Sequence, residues 1–360
     1  MRTGVANLPL HYGSAPRWLF ERMARLAREI TIVMIGQRGP DEFLQKISDP
    51  FWFQAFGSCL GFDWHSSGLT TTVGGALKVG LRDVSKDLGI FVAGGKGGAS
   101  RKTPEEIEIV SEKTHVPFVV GQKLVYASKM AAKVDTAGLQ DGYQLYYHNF
   151  IFTKNGKWAV VQQGMNTDTR WARRYHWLSD EVSNFVCEPH KAVCSDKKGQ
   201  VLNMVARESQ KTQGVSYKLA GDKPDKLANQ IKRMKTLNLP KRESILVSDL
   251  NPDSLKKIFT KTYEAQPASF ENLLALSGIG PKTIRALALI SELIYGVPYS
   301  TRDPVRYSFA HGGKDGTPYP VDRKIYDSSI AFLHDAVVKA KIGRSDKLKA
   351  LERLSIFYYD

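Results

Sequence analysis

Apolar residues recur at helical spacing from Ala15 to Ile35, with Trp18, Leu19, Met23, Leu26, Ala27 and Ile30 on one face and Arg17, Arg22, Arg25 and Arg28 on the rest. This pattern predicts a long amphipathic helix after an extended, proline-containing lead-in from Met1 to Gly13. The period then shortens. Alternation in Leu60 to Trp64 and the Thr70-Thr71-Thr72-Val73 run predict two strands around Ser66-Ser67-Gly68, which would project Asp63 and His65 to one side. Gly89 to Ala93 reads as a further strand that runs into GGKGGASRKTPEEI before a helix, and Lys123 to Lys133 is helical. Tyr143 to Phe152 and Trp158 to Gln163 are strong β runs joined at Asn155-Gly156, two residues that tolerate the positive φ of a tight hairpin. Alternation along the first run sets Gln144, Tyr146, His148 and Phe150 on one face and Tyr143, Leu145, Tyr147 and Asn149 on the other. Polar groups thus fall where a core would not want them.

The pattern becomes helical again in the C-terminal part. Phe270, Leu273, Leu274 and Leu276 give a short helix capped by Ser269, and Ile284, Leu287, Ala288 and Ser291 give a second, with Pro281 in its first turn and Gly296 after its end. Only Ser277-Gly278-Ile279-Gly280 lies between them. Two glycines around one apolar residue allow a tight turn whose amides approach a ligand without a Cβ in the way. The second helix begins with free N–H groups and a partial positive charge, and Lys282 and Thr283 stand in its first turn. An anion is the expected guest. The stretch Ser269 to Gly296, through its LSGIGPKT core, resembles the helix-hairpin-helix motif, which holds a DNA phosphate at such a turn; the resemblance implies nucleic-acid contacts at Gly278, Ile279, Gly280, Lys282 and Thr283.

Composition narrows the choice of partner. With 360 residues, 42% of them apolar and 10% aromatic, the chain is globular and long enough for two domains. Its formal charge of +15 favours a polyanion, whose binding would be salt-sensitive. No apolar run approaches the roughly 20 residues needed to cross a bilayer, and MRTGVANLPLHYG lacks the apolar core of a signal peptide, so a cytoplasmic protein without a membrane partner is expected. Cys59, Cys187 and Cys194 are a sparse set that fits a reducing compartment. CEPHKAVC offers Cys187, His190 and Cys194 without a matching second pair and reads as a turn rather than a zinc site.

The passages RTGVANLPLHYGSAPRWLFERM, GFDWHSSGLTTT, AGGKGGASRKTPEEI, AKVDTAGLQDGYQLYYH and WAVVQQGMNTDTRWARRYHW resemble a prokaryotic family catalogued as a domain of unknown function, number 763 in its series. The likeness spans Arg2 to about Leu354 and implies no particular reaction, so chemistry rests on the residues. The expected fold is α+β, with a mixed domain at 1–203 holding a hairpin-containing sheet and a helical domain at 204–360 with the helix-hairpin-helix at 269–296. Clustered acids and imidazoles in the first domain suit a metal-dependent nuclease acting in DNA repair or recombination. Asp63, Asp135 and Asp141 would hold Mg²⁺ or Mn²⁺, His65 or His148 would move the proton, and Lys96, Lys102, Arg170, Arg173 and Arg174 would face phosphates. PVDRKIYDSSI after the hairpin also resembles DNA glycosylases of the helix-hairpin-helix superfamily, which would make Asp322 the residue that stabilises a cationic sugar. A non-catalytic DNA-binding scaffold is the third reading. One hairpin per chain suggests a homodimer that grips a duplex symmetrically.

Overall fold

The computed structural model describes residues 16–61, 68–195, 197–306 and 323–355. At its centre is an antiparallel sheet. The strands, in chain order, are β1 (Ile90–Lys96), β2 (Leu139–Gln140), β3 (Gln144–Thr153), β4 (Trp158–Met165), β5 (Ala172–Leu178), β6 (Ala192–Cys194) and β7 (Leu202–Asn203). Five of them pair in the order β1-β3-β4-β5-β6, while β2 and β7 form a separate short ladder. The fold is α+β.

Helices cover both faces of the central sheet, because alternate residues on each strand are apolar on both sides. Ile90, Ile151, Ala159, Val161 and Leu178 pack in one core with the helices Arg17–Arg38, Pro40–Ile47, Pro50–Leu60 and Gly68–Gly80, joined by Arg323–Lys339 and Arg344–Ser355. Phe91, Phe150, Phe152, Trp158, Val160, Tyr175 and Trp177 face the opposite way. There they meet the Phe118–Lys133 helix and the helices Gln210–Ala220, Pro224–Met234, Pro252–Ala265, Phe270–Ala275 and Pro281–Leu293 in one continuous core. None of the described helices is long and apolar enough to cross a membrane.

Two expectations need correction. The residues expected to form a strand at Thr70 to Val73 lie inside the Gly68–Gly80 helix. Its buried positions Leu69, Thr70, Val73, Ala76 and Leu77 follow helical spacing, so the longer period outweighs the local β preference of three threonines. Leu60 ends the Pro50–Leu60 helix, in which every residue is buried and whose start is capped by Asp49 accepting from Phe51 N at 2.9 Å and Trp52 N at 2.8 Å. The second correction concerns β3, where a register shift between Leu145 and Tyr147 breaks strict alternation. Leu145 consequently joins the core on the His148 side, while Tyr146 lies on the other, accepting from Gln163 Nε2 at 2.5 Å.

Candidate functional site: a cleft between the sheet and the helical hairpin

The Phe270–Ala275 and Pro281–Leu293 helices form the expected pair around a tight turn. Ser269 caps the first by accepting from Asn272 N at 3.1 Å, and Gly280 precedes the proline that opens the second. Gly278 has φ +86°, a left-handed conformation that glycine adopts without strain. Gly280 is extended, with open space where a Cβ would stand. Ser277 and Gly278 are exposed, whereas the side chains of Ile279 and Thr283 are buried and anchor the turn. The Gly278 and Gly280 N–H groups have no backbone acceptor among the described residues.

The inward side of the turn is held by a lysine. Lys133, at the end of the Phe118–Lys133 helix, donates from Nζ to Leu276 O at 3.0 Å and Ile279 O at 2.6 Å. Burial holds its ammonium below the usual lysine range. Lys282, expected to meet an anion, is exposed and paired at 2.9 Å with Asp249, which Arg285 also contacts at 2.9 Å.

Between this turn, the Phe118–Lys133 helix, β3 and the short helix Gly98–Arg101 opens a cleft of about 580 Å³. Ala275 and Ser277 of the hairpin stand at one rim and Arg101 at the other, with Lys129 and Lys133 on the wall and Ser128 and His148 on the floor. Cations line its sides. Lys96, Lys102 and Arg170, expected to face phosphates, are exposed and do not line this cleft.

A hydrogen-bond relay runs back from the floor. Ser128 Oγ lies 2.9 Å from His148 Nε2, and His148 Nδ1 lies 2.6 Å from Gln162 Oε1. Gln162 Nε2 donates to Ala131 O at 3.0 Å and to Asp135 Oδ2. Asp135 also accepts from Trp177 Nε1 at 3.0 Å and meets His190 Nε2 through Oδ1. A carbonyl can only accept, so the Gln162 amide has one orientation, with Oε1 toward His148. His148 must then carry its proton on Nδ1, which leaves Nε2 to accept from Ser128. Burial lowers the His148 pKa, partly opposed by the Gln162 hydrogen bond, and the ring is neutral.

Asp135 and Asp141 lie beside the same strands but in different networks. Asp141 accepts from Arg173 Nη1 at 2.8 Å, Tyr175 Oη at 2.7 Å and Tyr143 N at 3.1 Å. Burial raises its pKa and the Arg173 charge opposes that rise. Arg173 reaches Asp303 as well, Nη2 to Oδ2 at 2.8 Å. Arg173 and Arg174, expected to face phosphates, are therefore corrected: both are buried. Arg173 is held between two carboxylates, and Arg174 donates from Nε to His176 at 2.8 Å on the opposite face of β5. Charge pattern alone does not distinguish a buried arginine from a solvated one.

The donors around Asp135 and Asp141 bear on the two described members of the expected metal site. Both carboxylates are occupied by protein hydrogen bonds, and no group of three or more acids, imidazoles and thiols able to hold an ion occurs among the described residues. The pair does not fit Mg²⁺ or Mn²⁺ as arranged. Asp63 and His65, assigned to the same site from sequence, lie outside the described residues, as does Asp322. Cys194 is buried in β6, Cys187 touches Gln210 at 3.4 Å and His190 turns to Asp135, so these three do not converge. Sequence reasoning missed Ser128 and Lys133. The available signal was a lone hydroxyl in the buried stripe Leu124, Val125, Ser128, Ala131 of an otherwise apolar helix face.

A family model described as "Protein of unknown function (DUF763)" matches residues 4–321. No curated protein and no solved structure matches the chain.

Proposed function

The chain belongs to the DUF763 family, and we propose that it is a DNA-binding protein that cleaves phosphodiester bonds in the cleft between sheet and hairpin. The turn at Ser277 to Gly280 acts as a helix-hairpin-helix, offering the Gly278 and Gly280 amides and the N-terminus of the Pro281–Leu293 helix to a backbone phosphate. The observation that carries this reading is the position of the turn. It forms the rim of a cation-lined cleft whose floor holds a neutral histidine that accepts from the Ser128 hydroxyl, so a strand gripped at the rim is delivered to a proton-transfer pair.

Labelled single- and double-stranded oligonucleotides test it, incubated at low salt with Mn²⁺ or with EDTA. Binding with strand scission is expected. Gly280→Asp should weaken binding tenfold or more, about 1.4 kcal/mol, because it sets a carboxylate against phosphate where the fold has room for a side chain. Equal affinity of this variant and the parent for DNA would remove the hairpin from the account. Abasic sites formed in EDTA would replace scission by base excision, and binding with neither product would leave a scaffold.

A further inference from the structure

We propose that Ser128 is a nucleophile, activated by His148 and oriented through Gln162 and Asp135, so that cleavage in this cleft runs through a covalent phosphoserine without a resident metal ion. The proposal deepens the phosphodiester reading above. Its geometry is that of a serine–histidine pair with a third group behind the ring. Ser128 Oγ donates to His148 Nε2 at 2.9 Å, and the far nitrogen is held at 2.6 Å by an acceptor whose orientation Ala131 O dictates. In such arrangements the third group fixes the tautomer and ring plane. Here a neutral amide does so, with the Asp135 carboxylate behind it polarising the chain of bonds.

Ser128 is the one hydroxyl among Leu124, Val125, Ala127 and Ala131 on the buried side of its helix, and it is the partner of the buried His148 Nε2. The relay ends at a cleft with Arg101, Lys129 and Lys133 on its sides, which suits a substrate carrying phosphate. Ser128 and His148 are each only 1–2% exposed, so the reacting group must enter the cleft rather than lie across its mouth.

The step balances with the groups present. Ser128 Oγ bonds to phosphorus as the bond to one ester oxygen breaks. The hydroxyl proton passes to His148 Nε2 and then to the departing oxygen, which leaves as an alcohol. Water next attacks the phosphoserine, giving its proton to His148, and the proton returns to Ser128 Oγ as the terminal phosphate departs.

The test uses a small probe, so that it fails separately from the DNA reading. The full chain is treated in EDTA with diisopropyl fluorophosphate, which forms an Oγ–P bond with loss of fluoride. One diisopropylphosphoryl group is expected on the peptide that contains Ser128, none on it in Ser128→Ala, and labelling at least a hundredfold slower in His148→Ala. Ser128→Cys, a near-isosteric change, provides a second reading that needs no change at the histidine. The introduced thiol should react with iodoacetamide at least tenfold faster than Cys187. An unlabelled Ser128, labelling at the same rate in His148→Ala, or a thiol no faster than Cys187 would each overturn the proposal. Labelling at Ser128 in a protein that ignores DNA would leave the nucleophile standing and remove DNA as its substrate.

Discussion

Asp135 sits in a single π-helical turn, Val134–Gly138, that continues the Phe118–Lys133 helix. The wider turn carries its carboxylate inward, where it receives donors from Gln162 and Trp177 and contacts His190. A buried carboxylate with that many partners is costly to remove. Asp135→Ala would leave the Trp177 and Gln162 donors unpaired, and a loss of about 3 kcal/mol or more is expected in urea unfolding. Asp135→Asn keeps the shape and should cost less, because one amide oxygen can still accept from both Gln162 Nε2 and Trp177 Nε1 while the NH2 group faces His190. If Asp135→Ala unfolds with the parent's midpoint, the relay is not a fixed part of the fold.

The Phe118–Lys133 helix is the element that makes one site out of two parts of the chain. From it Tyr126 donates to Glu271 at 2.6 Å, Ser128 meets His148, and Lys133 grips the hairpin carbonyls. Gln140, just beyond the π turn, adds a bond to Pro281 O at 2.8 Å and accepts from Arg285 Nε at 2.9 Å. The hairpin is thus fixed to the sheet layer by polar contacts at its turn as well as by its apolar helices. Lys133→Met keeps the length of the side chain and removes both bonds to the turn. It should lower DNA affinity several-fold, through loss of turn geometry, while circular dichroism stays that of the parent. Unchanged affinity would show that the turn holds its shape without the ammonium.

At the scale of the molecule, two buried neutral histidines flank the sheet on opposite faces. Burial pushes the His148 pKa down and that of His176 well down, the latter helped by the Arg174 charge. A group whose folded value is depressed adds stability that is present above its unfolded value near 6.5 and lost as pH falls through the folded value. Stability should therefore fall between about pH 6.5 and 5, by up to about 1.4 kcal/mol per pH unit for each ring. Asp49 and Asp141, both raised by burial, act in the opposite sense at lower pH. Urea midpoints at pH 7.5 and 5.5 measure the difference, and His148→Gln should reduce it. Midpoints that coincide would mean the imidazoles are protonated in the folded chain. The charge of +15 makes a further demand at this scale, because DNA affinity must fall steeply with salt if phosphates are the contacts.

Local chemistry made the hairpin legible: Ser269, Gly278 and Pro281 each specify a backbone state by themselves, and the helices begin and turn where those residues stand. The Asn155-Gly156 turn and its two strands were legible for the same reason. Apolar periodicity found the first helix, but it failed at Thr70 to Val73, where a short β-rich run lies within a longer helical repeat. The α+β class followed from these elements together. Which polar residues meet was decided only by tertiary structure. Ser128, His148, Gln162 and Asp135 come from a helix, two strands and a π turn, and no spacing along the chain records that they converge. The sequence likewise presented Arg173 as one more surface cation. Folding placed it between Asp141 and Asp303, where carboxylates brought from distant parts of the chain offset the cost of burying its guanidinium.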